Sequence, residues 1–324
     1  MRRIAPVNAS GRPSASRTLL RRLAFASLIA NITIVVTGGA VRLTGSGLGC
    51  PTWPRCTADS YVPTPEQGIH GAIEFGNRLM TGVLGIIAIA GLIAALRHRP
   101  RRRSLIWLAT SVLLGIAAQG VVGGITVWTS LHPSMVGIHF VLSIALILAA
   151  YAFWRRVDEP DGPPRLLVPQ PLRLLTWLMG AVSAAVIVVG VAVTGSGPHS
   201  GDPRAPRNGL DPEAVSQVHA DLVFLLLGLS VGLWLAFRAV GAPTAARAAR
   251  TLVVTELAQG VVGFAEYFTG LPPLLVGAHM LGSCLVWVAT LAVLWAIRER
   301  QPLPEPAAPR ATTQPAASDS MAVR

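Results

Sequence analysis

Eight stretches of this chain are apolar for close to the roughly 20 residues that carry a helix across hydrocarbon. They lie at roughly 23–41, 69–96, 104–127, 134–154, 174–194, 216–238, 250–268 and 273–297. No other feature restricts the fold so strongly. Charged residues make up only 13% of the sequence and mean hydropathy is +0.55, where a soluble domain carries about 25% charge. The expected fold is all-α and integral to a membrane.

The net charge of +12 comes entirely from arginine, because the chain has no lysine. A basic excess can serve nucleic acid, but that requires a soluble basic face. Here the arginines cluster between apolar runs: Arg2 to Arg22 before the first, Arg97 to Arg103 after the second, Arg155 to Arg173 between the fourth and fifth, Arg238 to Arg250 between the sixth and seventh, and Arg298 and Arg300 after the last. With eight spans all of these fall on one side. The opposite loops hold only Arg42, Arg55, Arg204 and Arg207. The positive-inside rule then makes both termini cytoplasmic. The run from Leu23 is too long for the core of a cleaved signal peptide, so it reads as a retained first span.

The chain also repeats itself. QGVVG occurs at 119–123 and again at 259–263, and a histidine follows each glutamine by 20 residues, at His139 and His279. LTGSG at 43–47 has a weaker echo in VTGSG at 193–197. The expected architecture is therefore eight transmembrane helices as two tandem pseudo-repeated four-helix bundles. The divisions are a cytoplasmic segment 1–22, an N-terminal half 23–156, a linker 157–173, a C-terminal half 174–298 and a disordered tail 299–324.

Of seven histidines, His98, His132 and His199 fall in loops and read as solvated. His70, His139, His219 and His279 begin spans two, four, six and eight, which all run inward from the outer side. Each lies within about 10 Å of its helix start at 1.5 Å rise per residue. An ionisable side chain in a span is costly and marks function by default. Zinc usually adds cysteine or carboxylate to reach four ligands, whereas haem iron takes two axial ligands and imidazole is a common one. Two histidines per half fit one haem per half, and Gly137, Ala278 and Gly282 leave room for a flat macrocycle.

Span two adds HGAIEFGNRL, which places Glu74 one turn after His70 and one turn before Arg78. Glu74 and Arg78 read either as an internal ion pair or as a carboxylate beside a first-half haem, with an arginine near a propionate. The corresponding stretch of the second half has Asp221 and no match for Glu74. The halves are thus unequal, as expected if one performs chemistry and the other transfers electrons. In the first outer loop, GGAVRLTGSGLGCPTWPRC at 38–56, Cys50 and Cys56 can form a disulfide on the oxidising side. That bond reads either as a structural clip or as a redox-active pair. Cys284, inside the last span, reads as a packing residue.

These residues resemble haem A synthase. The first-loop motif, the EFGNR segment, the repeated QGVVG and the four span histidines carry the resemblance over nearly all of residues 20–297. It implies a membrane oxidoreductase that converts the C8 methyl of haem o to the formyl of haem a for terminal oxidases. It further implies that His219 and His279 ligate a haem b cofactor, that His139 ligates the iron of haem o, and that Glu74 is the essential carboxylate. Asn77, Arg78 and Arg42 would flank the substrate, and Cys50 and Cys56 match the family's loop cysteines. The chain departs from the family at Asn77, where many relatives carry an iron-ligating histidine. Either His70, two turns earlier on the same face, replaces it, or His139 binds with a weaker partner; the first is preferred.

The resemblance places the protein in a bacterial plasma membrane. Its partners would be haem o, the haem o synthase, an electron acceptor in the membrane and the bilayer itself, with no nucleic acid; self-association is left open. A rival reading is a bis-histidine di-haem electron-transfer protein linked to quinone, which does not explain Glu74 in one half alone. A transporter would more often place polar groups at mid-membrane in broken helices.

Overall fold

The computed structural model describes residues 15–302; Arg2, Arg3 and Arg12, and the expected tail beyond residue 302, lie outside the described residues. Eight helices follow one another: α1 (Ala15–Leu43), α2 (Gly68–Arg97), α3 (Arg103–Trp128), α4 (Pro133–Asp158), α5 (Gln170–Ser196), α6 (Pro212–Ala239), α7 (Pro243–Phe268) and α8 (Pro273–Ala296). Seven are long and apolar enough to cross a membrane. The exception, α7, has the same length but carries Arg247, Arg250, Glu256 and Glu266. It packs between α6 and α8, where Ser230 of α6 donates to Glu256 at 2.9 Å.

Within each half the helices pack in chain order and the last closes back on the first. The halves meet through α1, α4, α5 and α8. One apolar core joins them: Leu28 and Val35 of α1, Ile144 and Ile147 of α4, Ile187 of α5, and Cys284, Trp287 and Leu291 of α8. Trp287 spans the junction and donates its indole N–H to the Ile144 carbonyl at 3.1 Å. A buried indole requires such a partner, and here the partner belongs to the other half. Cys284 is fully buried in this core. Large apolar side chains such as Trp107, Ile86 and Phe268 stand outward on the perimeter, as residues facing lipid do.

The ends of the bundle on the arginine-rich side, called inner for the expected orientation, are clamped by charge. Arg102 donates to the Glu159 carbonyl at 2.6 Å and pairs with Asp161 at 2.9 Å, and Arg156 reaches Asp161 at 2.7 Å. The linker between halves is ordered: β1 (Pro164–Leu166) pairs antiparallel with β2 (Arg298–Arg300), so residues 299 and 300 are strand. Of the three loop histidines, His132 is exposed as expected, and the other two depart from the solvated expectation. His98 is buried beneath this arginine cluster. His199 is half-buried, its ring bonded to the Leu271 carbonyl at 2.8 Å.

Proline sets the register of the outer-to-inner helices. It occupies the first position of α4, α6 and α8, where its missing N–H costs nothing and its fixed φ favours the helix. His139 and His279 are each the seventh residue of their helices, and His219 is the eighth of its own. Identical starts put these three rings at one depth.

Candidate functional site

The first outer loop folds back on α2. Gly45, at φ +67°, turns the chain after α1 in the left-handed region that glycine enters freely. Gly49 then lies against the carbonyl of His70, where a Cβ would collide with backbone. The loop closes through a Cys50–Cys56 disulfide, both halves of which are fully buried. Trp53 covers Gly124 of α3 and meets Trp128 edge to face with centroids 5.4 Å apart, while the Trp128 indole donates to the Trp53 carbonyl at 3.2 Å. The loop thus roofs the outer ends of α2 and α3.

Glu74 and Arg78 hold this roof down. The Cys50 N–H donates to Glu74 Oε2 at 2.7 Å, and Arg78 donates to Glu74 Oε1 at 2.6 Å. The same guanidinium donates to the carbonyls of Cys50, Thr52 and Arg55 at 3.0–3.1 Å. Glu74 is buried, so a charge-assisted set of this kind offsets the desolvation of its carboxylate. Arg42 is committed elsewhere: it donates to the Thr194 carbonyl at 2.5 Å and to that of His199, joining α1 to the outer end of the second half.

The repeated QGVVG motif has a direct structural meaning. Gln119 donates to the carbonyl of His139 at 3.1 Å, and Gln259 donates to the carbonyl of His279 at 2.9 Å. The closing glycine of each motif, Gly123 or Gly263, sits beneath the histidine ring; an added Cβ would stand 3.3 Å or 3.1 Å from its Cε1. Gly190 of α5 does the same for His219 at 3.0 Å. Glutamine fixes the helix pair in register, and glycine leaves the space the imidazole fills.

The rings of His219 and His279 face each other with centroids 6.5 Å apart. Two imidazoles sharing one metal at about 2 Å per bond, each nitrogen about 1 Å from its ring centre, stand about 6 Å apart. The pair therefore fits one hexacoordinate iron. Among the described residues no group of three or more His, Cys, Asp or Glu side chains gathers as a zinc site would.

The first half is built differently. Asn77 lies 20 residues before the end of α2 at Arg97, as His219 lies 20 residues before the end of α6 at Ala239. Its carboxamide oxygen accepts from Thr37 of α1 at 2.7 Å, and a Cβ at Gly38 would stand 3.8 Å from its nitrogen. His70 stands two turns further out. It is exposed, and its Nδ1 meets the Ser46 hydroxyl at 2.9 Å. Glu266, near His279, escaped sequence reading because position 126 of the first-half repeat is threonine.

Known proteins resemble the chain over part or most of its length. Residues 21–198 match the family described as COX15-CtaA, cytochrome oxidase assembly protein. The chain is 33% identical to a heme A synthase of Geobacillus kaustophilus over 87% of its own length and 93% of that protein. It is 30% identical to a heme A synthase of Halalkalibacterium halodurans over 51% of its length and 56% of the relative. It is 26% identical to a protoheme IX farnesyltransferase of Thermus thermophilus over 86% of its length. The match spans only about half of that last protein, 48%.

Proposed function

The chain belongs to the family of cytochrome oxidase assembly proteins, and from that premise we propose that it is a haem A synthase that oxidises the C8 methyl of haem o to the formyl of haem a. One observation carries the reading. The second half presents two imidazoles at the spacing of an axial pair, and the first half has asparagine at the matching position. A strong ligand pair suits a resident cofactor; one histidine with a weak partner suits a substrate that must leave.

His219 and His279 hold haem b, and Gly190 and Gly263 keep their rings clear of the neighbouring helices. When bound, haem b supplies a one-electron store beside the substrate half. His139 is the strong protein ligand for the iron of haem o. Asn77, whose oxygen already accepts from Thr37, is the weaker group opposite, and His70 anchors the loop through Ser46.

Glu74 is the catalytic carboxylate. Cys50 N–H and Arg78 fix its position, and Oε2 keeps a lone pair with which to accept a proton or face developing positive charge. The buried disulfide and Trp53 restrict water at this end of the site. Arg42 and Arg78 place positive charge at the outer end, on the side where a propionate would lie. With one water as the source of the formyl oxygen, the conversion releases four protons and four electrons; Glu74 receives protons, and the electrons pass to an acceptor in the membrane.

The arginine segregation supports a bacterial plasma membrane with both termini cytoplasmic. The match to a protoheme IX farnesyltransferase supports a working link to the enzyme that supplies haem o. The test is expression with a haem o supply, followed by chromatography of the extracted haems. Haem b together with haem o, its hydroxylated form or haem a supports the reading. Haem b alone, at about two copies per chain, favours the quinone-linked electron carrier.

A further inference from the structure

Glu266 of α7 lies beside His279, far in sequence from the Glu74–Arg78 pair. Its Oε2 is buried and makes no hydrogen bond. Its Oε1 lies 3.9 Å from Nδ1 of His279, which is likewise buried and without a hydrogen bond. An unpartnered buried carboxylate oxygen and an unpartnered buried ring nitrogen are each costly alone, and a shift of about 1 Å would bring Oε1 of Glu266 within hydrogen-bond distance of Nδ1 of His279. Gly263 and Glu266 are three residues apart and share one face of α7. The glycine approaches the Cε1 and Nδ1 edge of the ring, so that edge faces the carboxylate and Nε2 points away.

The first half lacks this device. The equivalent residue, at the repeat offset of 140, is Thr126, whose hydroxyl donates back to the Gly123 carbonyl at 2.6 Å. Nδ1 of His139 has no hydrogen-bond partner. Only one of the two QGVVG helix pairs therefore offers its histidine an acid.

We infer that Glu266 is a positioning residue for the cofactor half: it accepts a hydrogen bond from Nδ1–H of His279, orients the ring and makes its Nε2 a stronger donor to iron. A carboxylate behind a metal-bound imidazole raises ligand basicity and favours the oxidised metal. It would separate the halves in function, with a firmly held low-potential haem in the second and an exchangeable one in the first. This inference rests on the haem b site proposed above.

The test is redox titration and low-temperature electron paramagnetic resonance of the purified full chain and its Glu266→Gln, Glu266→Ala and Glu266→Asp variants. Glu266→Gln, nearly isosteric, should keep haem content and the low-spin spectrum but raise the midpoint potential and shift the g values. Glu266→Ala should raise the potential further and lose part of the haem, and Glu266→Asp should restore part of the shift. If Glu266→Gln and Glu266→Ala both leave potential and g values at wild-type positions, the inference is overturned while the haem b site stands. If the wild-type protein shows no low-spin bis-imidazole haem, both fall.

Discussion

The side-chain amide of Gln119 donates to the carbonyl of His139, 20 residues further on, at 3.1 Å. Gln259 repeats the contact with His279. A separation of 20 residues is the path down one antiparallel helix end, around a turn and into the next helix, so the repeated spacing is the register of a helix pair. The glycine four residues after the glutamine, Gly123 or Gly263, then decides whether the imidazole fits.

That register gives the first prediction. Gly263→Val places branched carbon against His279, whose ring already stands at close contact with the position of a Cβ. Overpacking of this kind costs about 1–3 kcal/mol. The variant should lose most of its low-spin haem b absorbance, while Gly123→Val should keep haem b and lose haem o. Difference spectra with extracted-haem chromatography check both.

Asn77→His supplies the first half with a second imidazole at the place His219 holds in the second. Low-spin haem per chain should rise towards two, and release of product should slow. Haem quantitation and single-turnover kinetics check this; unchanged spectra would mean that position 77 does not face the substrate iron.

Arg78 and Glu74 separate into different phenotypes. Arg78→Ala leaves the buried Glu74 without its cation and frees three loop carbonyls. Loss of one partner of a buried pair costs about 3 kcal/mol, at the low end because Arg78 is partly exposed. Melting temperature should fall and proteolysis of residues 50–56 should speed up. Glu74→Gln can keep the acceptor for Cys50 N–H but turns its amide nitrogen towards Arg78, so the melting temperature should fall less than in Arg78→Ala while haem a formation drops about 100-fold or more.

The disulfide behaves as a clip in this account, because both cysteines are fully buried. Closing so short a loop contributes about 2 kcal/mol. Cys50→Ser with Cys56→Ser should lower the melting temperature and retain haem b. Full loss of activity at unchanged stability would instead mark the pair as redox-active.

Much of this structure is legible in the sequence, and the exceptions have physical reasons. Long apolar runs and one-sided arginines define the helices because the bilayer imposes both. α7 is less apolar, since Glu256 finds Ser230 inside the bundle. His98 lies in an arginine-rich loop yet is buried, because that loop folds under ion pairs to Asp161 that no local pattern announces. Asn77 matches His219 when the two halves are aligned on the far ends of α2 and α6. The first loop is longer than its counterpart, so only the inner helix ends give a common origin. Glu266 was invisible to a search for repeated residues because it is a difference between the repeats.

The division of labour between the halves is the central claim, and haem composition of two single variants tests it most directly. Extracted haems from His279→Ala and His139→Ala, each expressed with a haem o supply, are resolved by chromatography. The account predicts that His279→Ala loses haem b, and that His139→Ala keeps haem b and loses haem o and haem a. Equal loss of the same haem from both variants would contradict it.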